Sequence, residues 1–253
     1  MMTNSNTSDS SPLHALIDYD DDDGALDDGS TPLDHFWLEG DSLAPPCQSD
    51  IDVVYTILRL IEYYYINSSC CMDMDIDRRR NDDRTLQISS QDLKASRGLI
   101  ETSNHDDSVI TSRPNNYNNI NIDVFYDLGC GDGRICIEAT RRFNCPSVGC
   151  EIEERLINRF RAHIKALALD DMVTVIHGDL RDINLTRKGV ISIYLLPEAI
   201  EAIRVKLVDA LLRGSLIVFN TWGLKGIAPR ISCTCGYANN AMLHLYDQSC
   251  VAS

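Results

Sequence analysis

The first fifty residues contain no lysine and no arginine, yet they hold twelve of the 38 acidic side chains. Most of the formal net charge of −15 therefore sits in that stretch, and the remainder of the chain is close to neutral. Nucleic-acid binding needs a Lys/Arg footprint, so the charge argues against it. Cysteine is present ten times, at 47, 70, 71, 130, 136, 145, 150, 233, 235 and 250, but no Cys-x-x-Cys pair occurs and no Cys/His set has zinc spacing. No metal site is expected, and the thiols inside apolar patterns read as small core residues. There is no uninterrupted apolar run of eighteen residues and no signal peptide, so no membrane span is expected. The acidic start is unlike a mitochondrial transit peptide. A reducing, cytoplasmic setting is the expectation.

At 253 residues and 44% hydrophobic, the chain can build one α/β domain with a real core. Residues 1–43, with Asp20-Asp21-Asp22-Asp23 among Ser, Gly and Pro, read as a disordered acidic tail. The sharper alternative is an electrostatic arm for a basic partner. In the segment 44–67, Pro45-Pro46 stops helix propagation, Asp50 is a candidate N-cap, and residues 51–66 are apolar enough for a packed helix. Residues 68–121 lose all apolar periodicity and read as a mostly disordered insertion, with a short helix possible near 91–101. Arg78-Arg79-Arg80 inside it reads as a solvated loop cluster.

From residue 122 to 253 the pattern is regular. Strands are expected at 124–128, 147–152, 173–179, 189–195 and 215–220, and helices at about 133–143, 153–169 and 197–212. Residues 231–237 and 241–247 read as a final hairpin. Strands alternating with helices give a doubly wound, mostly parallel α/β sheet with helices on both faces and a C-terminal antiparallel hairpin. Ligands of such sheets bind at the carboxyl ends of the strands.

The most informative residues are Val-Phe-Tyr-Asp-Leu-Gly-Cys-Gly-Asp-Gly-Arg at 124–134. An apolar strand ends near Asp127, and Gly129, Gly131 and Gly133 then let the backbone turn sharply and lie against a ligand. Dinucleotide enzymes place the third glycine one position later, where this chain has Arg134. Glu151 ends the second strand, 24 residues after Asp127, where a carboxylate can accept from both ribose hydroxyls; the bland alternative is a surface glutamate. Asp179 and Leu180 end the third strand, placed to meet an adenine amine and a ring nitrogen, or simply to make a turn. His177 reads as a strand residue rather than a base.

Asp127 followed by Gly-x-Gly-x-Gly resembles motif I of the class I S-adenosylmethionine (SAM) methyltransferases. Tyr126-Asp-Leu-Gly-Cys-Gly-Asp-Gly-Arg-Ile, Val148-Gly-Cys-Glu-Ile, Gly178-Asp-Leu and Ile193-Tyr-Leu-Leu-Pro197 resemble a narrower branch. It includes lysine methyltransferases that act on the ATP synthase c subunit and the adenine nucleotide translocase. The resemblance implies a seven-strand Rossmann-like sheet, SAM as cofactor and a protein lysine as acceptor; the alternatives are a small-molecule or other acceptor on the same scaffold, or a SAM-binding protein without transferase activity. It also implies a helix before motif I that caps the cofactor, which 44–67 matches, and a short link after it, from which 68–121 departs. The mitochondrial members of that branch carry an apolar pre-sequence, which is missing here. Tyr194, Pro197 and Trp222 are the candidates for positioning the acceptor, although a core tyrosine would also fit at 194. The Asn/Asp-Pro-Pro-Tyr segment of nucleobase and glutamine methylators is replaced by Tyr194-Leu-Leu-Pro197. Pro45-Pro46-Cys47-Gln48 imitates the nucleophile motif of cytosine-C5 enzymes, but it precedes the glycine turn instead of following it.

Overall fold

The computed structural model describes residues 49, 51–70, 86–89, 120–236 and 240–252. The acidic tail 1–43 and most of the 68–121 segment lie outside these residues. Helix α1 spans Ile51–Cys70, and strand β1 spans Leu86–Ser89. Strand β2 (Phe125–Leu128), helix α2 (Arg134–Phe143), strand β3 (Ser147–Glu151), helix α3 (Glu154–Ala166) and strand β4 (Val173–His177) follow. Next come β5 (Val190–Ile193), α4 (Pro197–Ala202), α5 (Arg204–Leu212), β6 (Leu216–Asn220), β7 (Ile231–Cys235) and β8 (Ala241–Tyr246).

These strands form one sheet in the order β1-β7-β8-β6-β5-β2-β3-β4. Only β8 runs antiparallel to its neighbours, β6 and β7. The seven expected strands are therefore present, hairpin included. An eighth is added: β1 pairs parallel with β7 at the sheet edge, with Leu86 opposite Ile231 and Ile88 opposite Cys233. This corrects part of the reading of 68–121 as insertion, because four of its residues are sheet. The stretch is too short and too polar in its surroundings for periodicity to reveal it. A second difference is that α1 runs on to Cys70. A third is that the single helix expected over 197–212 is broken into α4 and α5 at Ile203.

Side chains alternate across β2. Phe125 joins the apolar layer made with α1 and α2, while Val124, Tyr126 and Leu128 join the layer under α4 and α5. Phe160 and Ile164 of α3 pack with Cys136 and Ile137 of α2 in a third cluster. Helix α1 is fixed to α2 by Arg142, whose guanidinium donates twice to the Glu62 carboxylate at 2.5 and 2.7 Å. The strand order reverses between β2 and β5. A crevice for ligand opens at the carboxyl ends at such a switch point.

Candidate functional site

Three glycines follow β2, each in the left-handed region, but for different reasons. A Cβ on Gly133 would lie 2.0 Å from the Phe160 ring, and one on Gly129 would lie 2.9 Å from Leu195 Cδ2. Those two glycines are demanded by packing. A Cβ on Gly131 would meet nothing within 4 Å, so this position faces open space over the turn. The Gly131 N–H donates to Glu151 Oε2 at 2.9 Å, which ties the turn to the end of β3.

Glu151 is 9% exposed, so it is no surface glutamate. Its Oε1 accepts from the backbone N–H groups of Ile152 (2.8 Å) and Glu153 (3.0 Å). A carboxylate has about four acceptor positions. Three are filled here, and Oε2 keeps one for an incoming hydroxyl. Asp127 lies within β2, with Ser192 of β5 on one side and Gly149 of β3 on the other. It is 3% exposed. Burial pushes its carboxyl up to about 8, a hydrogen bond with Ser192 opposes this, and the nearby Glu151 and Asp132 charges add to the rise. A cation that reaches this buried carboxyl favours its ionised form and brings the pKa back down.

Asp179 sits in the turn after β4, two residues beyond the strand it was expected to end. Its carboxylate is held by Arg181, which donates from Nε at 3.0 Å and from a terminal nitrogen at 2.6 Å. Those bonds bring its pKa down to about 2. Its oxygens are thus already engaged, and an amine donor has to share them with Arg181. Leu180 follows, half-buried against the α4–α5 layer. His177 is an exposed residue at the end of the β4 edge strand, as its reading as a strand residue required.

Tyr194 and Trp222, far apart in sequence, come together: their rings stack with centroids 6.2 Å apart and planes 16° apart. The Tyr194 carbonyl lies 4.0 Å from the position of a Cβ on Gly129, so the Tyr194 backbone runs beside the glycine turn. Pro197 is exposed and opens α4 at the helix start, where its missing N–H costs nothing.

Four residues of this region escaped the sequence reading. Ser192 partners Asp127; its only signal is a hydroxyl inside the apolar run Val190-Ile-Ser-Ile. Ile152 is 66% exposed directly after Glu151, an unusual position for a large apolar side chain. Buried Asn220 ends β6, and its Nδ2 donates to Ser49 Oγ at 3.3 Å. Ser49 in turn accepts at its carbonyl from Arg134, 3.2 Å away, while Arg134 also forks onto Asp132 at 3.0 and 2.8 Å. The residue that replaces a dinucleotide glycine therefore fastens the start of α1 to the glycine turn.

Against known proteins, residues 127–231 match the family model described as the ANTKMT methyltransferase domain. A protein-lysine N-methyltransferase of Saccharolobus islandicus (strain REY15A) is 31% identical over 109 residues, which are 43% of this chain and 68% of that protein. The chain belongs to the class I SAM-dependent methyltransferases. SAM is its cofactor. A carboxy-S-adenosyl-L-methionine synthase of Shewanella piezotolerans is 28% identical over 103 residues, covering 38% of this chain and 42% of that enzyme. Among solved structures, an RNA methyltransferase from Salinibacter ruber in complex with S-adenosyl-L-homocysteine is 31% identical. The match covers 49% of this chain and 79% of that one, with a TM-score of 0.45.

The residues present fit such a donor. The open space over Gly131 admits a ligand against bare backbone, the spare acceptor on Glu151 suits one hydroxyl of a ribose, and the buried Asp127 suits an ammonium group. Among the described residues no group of three or more His, Cys, Asp or Glu is placed to hold a metal. None of the described helices is long and apolar enough to cross a membrane. The Cys130 thiol in the turn is held well above its ordinary pKa by burial, so it is a packing group rather than a nucleophile.

Proposed function

We propose that this methyltransferase transfers the methyl group of SAM to the side-chain nitrogen of a lysine in a protein. The observation that carries this reading is the stacked Tyr194–Trp222 pair just past the carboxyl ends of β5 and β6. It offers a flat aromatic wall along which an alkylamine stem can lie and by which a cationic head can be held. The named protein-lysine relative supports the same class of acceptor.

In this reading Asp127 takes the α-ammonium of the donor, and Gly129, Gly131 and Gly133 let the backbone lie under its amino-acid part. Glu151 accepts from the ribose, and Ile152 lies against the adenine face. Asp179, shared with Arg181, accepts from the adenine amine while Leu180 presents a backbone amide. SAM supplies an electrophilic methyl on a sulfonium. The protein must supply a neutral amine aimed at it and keep water out. A lysine side chain in water titrates at about 10.4, so deprotonating it near pH 7.4 costs about 4 kcal/mol. Desolvation in a half-buried channel, and the nearby sulfonium charge, lower that cost by disfavouring the charged amine, against the pull of the aromatic faces on the ammonium. Tyr194 orients the nitrogen, Trp222 walls the channel, and Pro197 fixes where α4 leaves it.

The test is radiolabelled methyl transfer from SAM into whole-cell lysate, with and without protease treatment. Label should enter protein, become acid-soluble after proteolysis, and map by mass spectrometry to lysine nitrogen. Label confined to small metabolites overturns the lysine reading and leaves a small-molecule methyltransferase.

A further inference from the structure

The loop that delivers Trp222 to Tyr194 is bent in a costly way. The Trp222 N–H donates to the Asn220 carbonyl at 2.9 Å, two residues back, and Thr221 between them has φ +72°. That is the γ-turn of positive φ, rare and strained, here centred on a β-branched residue. Such a conformation persists only where its surroundings over-determine it, and these conformations cluster at functional sites.

Strand β8 supplies those surroundings. The Thr221 N–H donates to the Met242 carbonyl at 2.7 Å, which carries the β6–β8 pairing one residue past β6. On the same face of β8, His244 and Tyr246 both reach into the loop. The His244 ring bonds the Thr221 backbone on one side, and its Nδ1 lies 2.9 Å from Ser232 Oγ on the other. The buried Tyr246 hydroxyl accepts from the Leu224 N–H at 3.2 Å. A Cβ on Gly223 would stand 2.3 Å from that hydroxyl, so only glycine lets the loop come this close. The Tyr246 ring is itself held edge-on against Phe219, centroids 5.3 Å apart.

We propose that His244 and Tyr246 are positioning residues that clamp the Thr221–Leu224 loop at both ends and so hold the Trp222 ring flat on Tyr194. They act through Trp222 and touch no substrate. The proposal rests on the acceptor reading only for its kinetic consequence; the clamp itself is a statement about Trp222.

The sequence has two tryptophans, Trp37 and Trp222. In a full-length Trp37→Phe background, Trp222 is therefore the sole tryptophan, and red-edge excitation that spares the ten tyrosines reads its emission alone. Tyr246→Phe and His244→Ala should each shift and broaden the Trp222 emission. Affinity for S-adenosylhomocysteine, measured by calorimetry, should stay within about twofold, because neither residue borders the glycine turn. Methyl transfer from labelled SAM into lysate acceptor should fall about fivefold to tenfold, the size of one lost hydrogen bond. His244→Gln, which keeps a donor for the Thr221 carbonyl, should restore both readouts. Emission unchanged in Tyr246→Phe and in His244→Ala overturns the clamp, as does an equal loss of cofactor affinity in both. A shifted emission with transfer undiminished leaves the clamp standing and removes Trp222 from the acceptor channel.

Discussion

Replacing Asp127 by Asn should make the protein more stable at neutral pH and worse at binding its cofactor. The carboxyl is buried in β2, and burial raises its folded-state pKa to about 8. In the unfolded chain it returns to about 3.9. A group raised on folding gives its full stability below the unfolded value and loses it as pH rises through the folded one. Between pH 5 and pH 7.5 the folded state keeps a proton that the unfolded state has released. Stability should therefore fall by about 3 kcal/mol over that window. Asn has the same shape, keeps the hydrogen bond to Ser192 and carries no proton to lose, so the variant should lack this slope. At about 2–4 °C per kcal/mol for a domain of this size, the wild-type Tm should drop by about 6–12 °C relative to the variant between those pH values. Binding should run the other way. An ammonium group favours the ionised carboxylate, so S-adenosylhomocysteine should release a proton on binding at pH 7. Its affinity should rise with pH until Asp127 is ionised. The variant should bind about tenfold to a hundredfold more weakly, the loss of one charge-assisted hydrogen bond. Melting curves at a series of pH values, with calorimetry in two buffers of different ionisation enthalpy, read both effects. Parallel melting profiles for the two proteins, or full cofactor affinity without the carboxyl, would refute the reasoning.

Gly131→Ala and Gly133→Ala should separate ligand from fold. The first places a methyl in the open space over the turn and should weaken S-adenosylhomocysteine by calorimetry while costing about 1–2 kcal/mol of stability through its positive φ. The second drives a methyl into Phe160 and should appear chiefly as a lowered Tm. Glu151→Gln should weaken the cofactor by about 1–3 kcal/mol, seen in the same titration. Tyr194→Phe should lower turnover with little change in cofactor affinity, and Trp222→Ala should mainly impair acceptor use, both read from steady-state transfer assays. Replacing residues 71–119 with a Gly/Ser linker should leave cofactor affinity within about threefold, because loop closure depends weakly on length. It should also lower Tm, because β1 is lost from the β7 edge.

The strand–turn–helix unit at 124–143 was legible because glycine and apolar spacing are local signals, and the same holds for the β3–α3 unit. What stayed hidden depends on contacts between distant strands. Nothing near Ser192 says that it will lie beside Asp127, and nothing near Asn220 says that it will hold Ser49. The Arg181 partner of Asp179 was two residues away and readable, yet the expectation left the carboxylate free for adenine. Strand β1 was missed because four residues whose partner, β7, lies well over a hundred positions later carry no periodicity of their own. Tyr194 and Trp222 were both named from their places after strands, but their stacking belongs to tertiary structure.

The fastening of α1 also bears on the order in which the molecule assembles. Glu62 meets Arg142 across 80 positions, and Ser49 meets Asn220 across 171. Closing a flexible loop of 80 residues costs about 4 kcal/mol of chain entropy before any contact offsets it. Strands β2 to β6 and their helices, joined by short local connections, face no such barrier. The parallel sheet and its glycine turn therefore have reason to form first, with α1 arriving afterwards as a separate cooperative unit. Seen this way, α1 is a late-folding latch on α2 and on the sheet face beneath it. The tether between Arg134 and the Ser49 carbonyl is then unmade while the chain folds, and again whenever α1 locally unfolds from the finished protein.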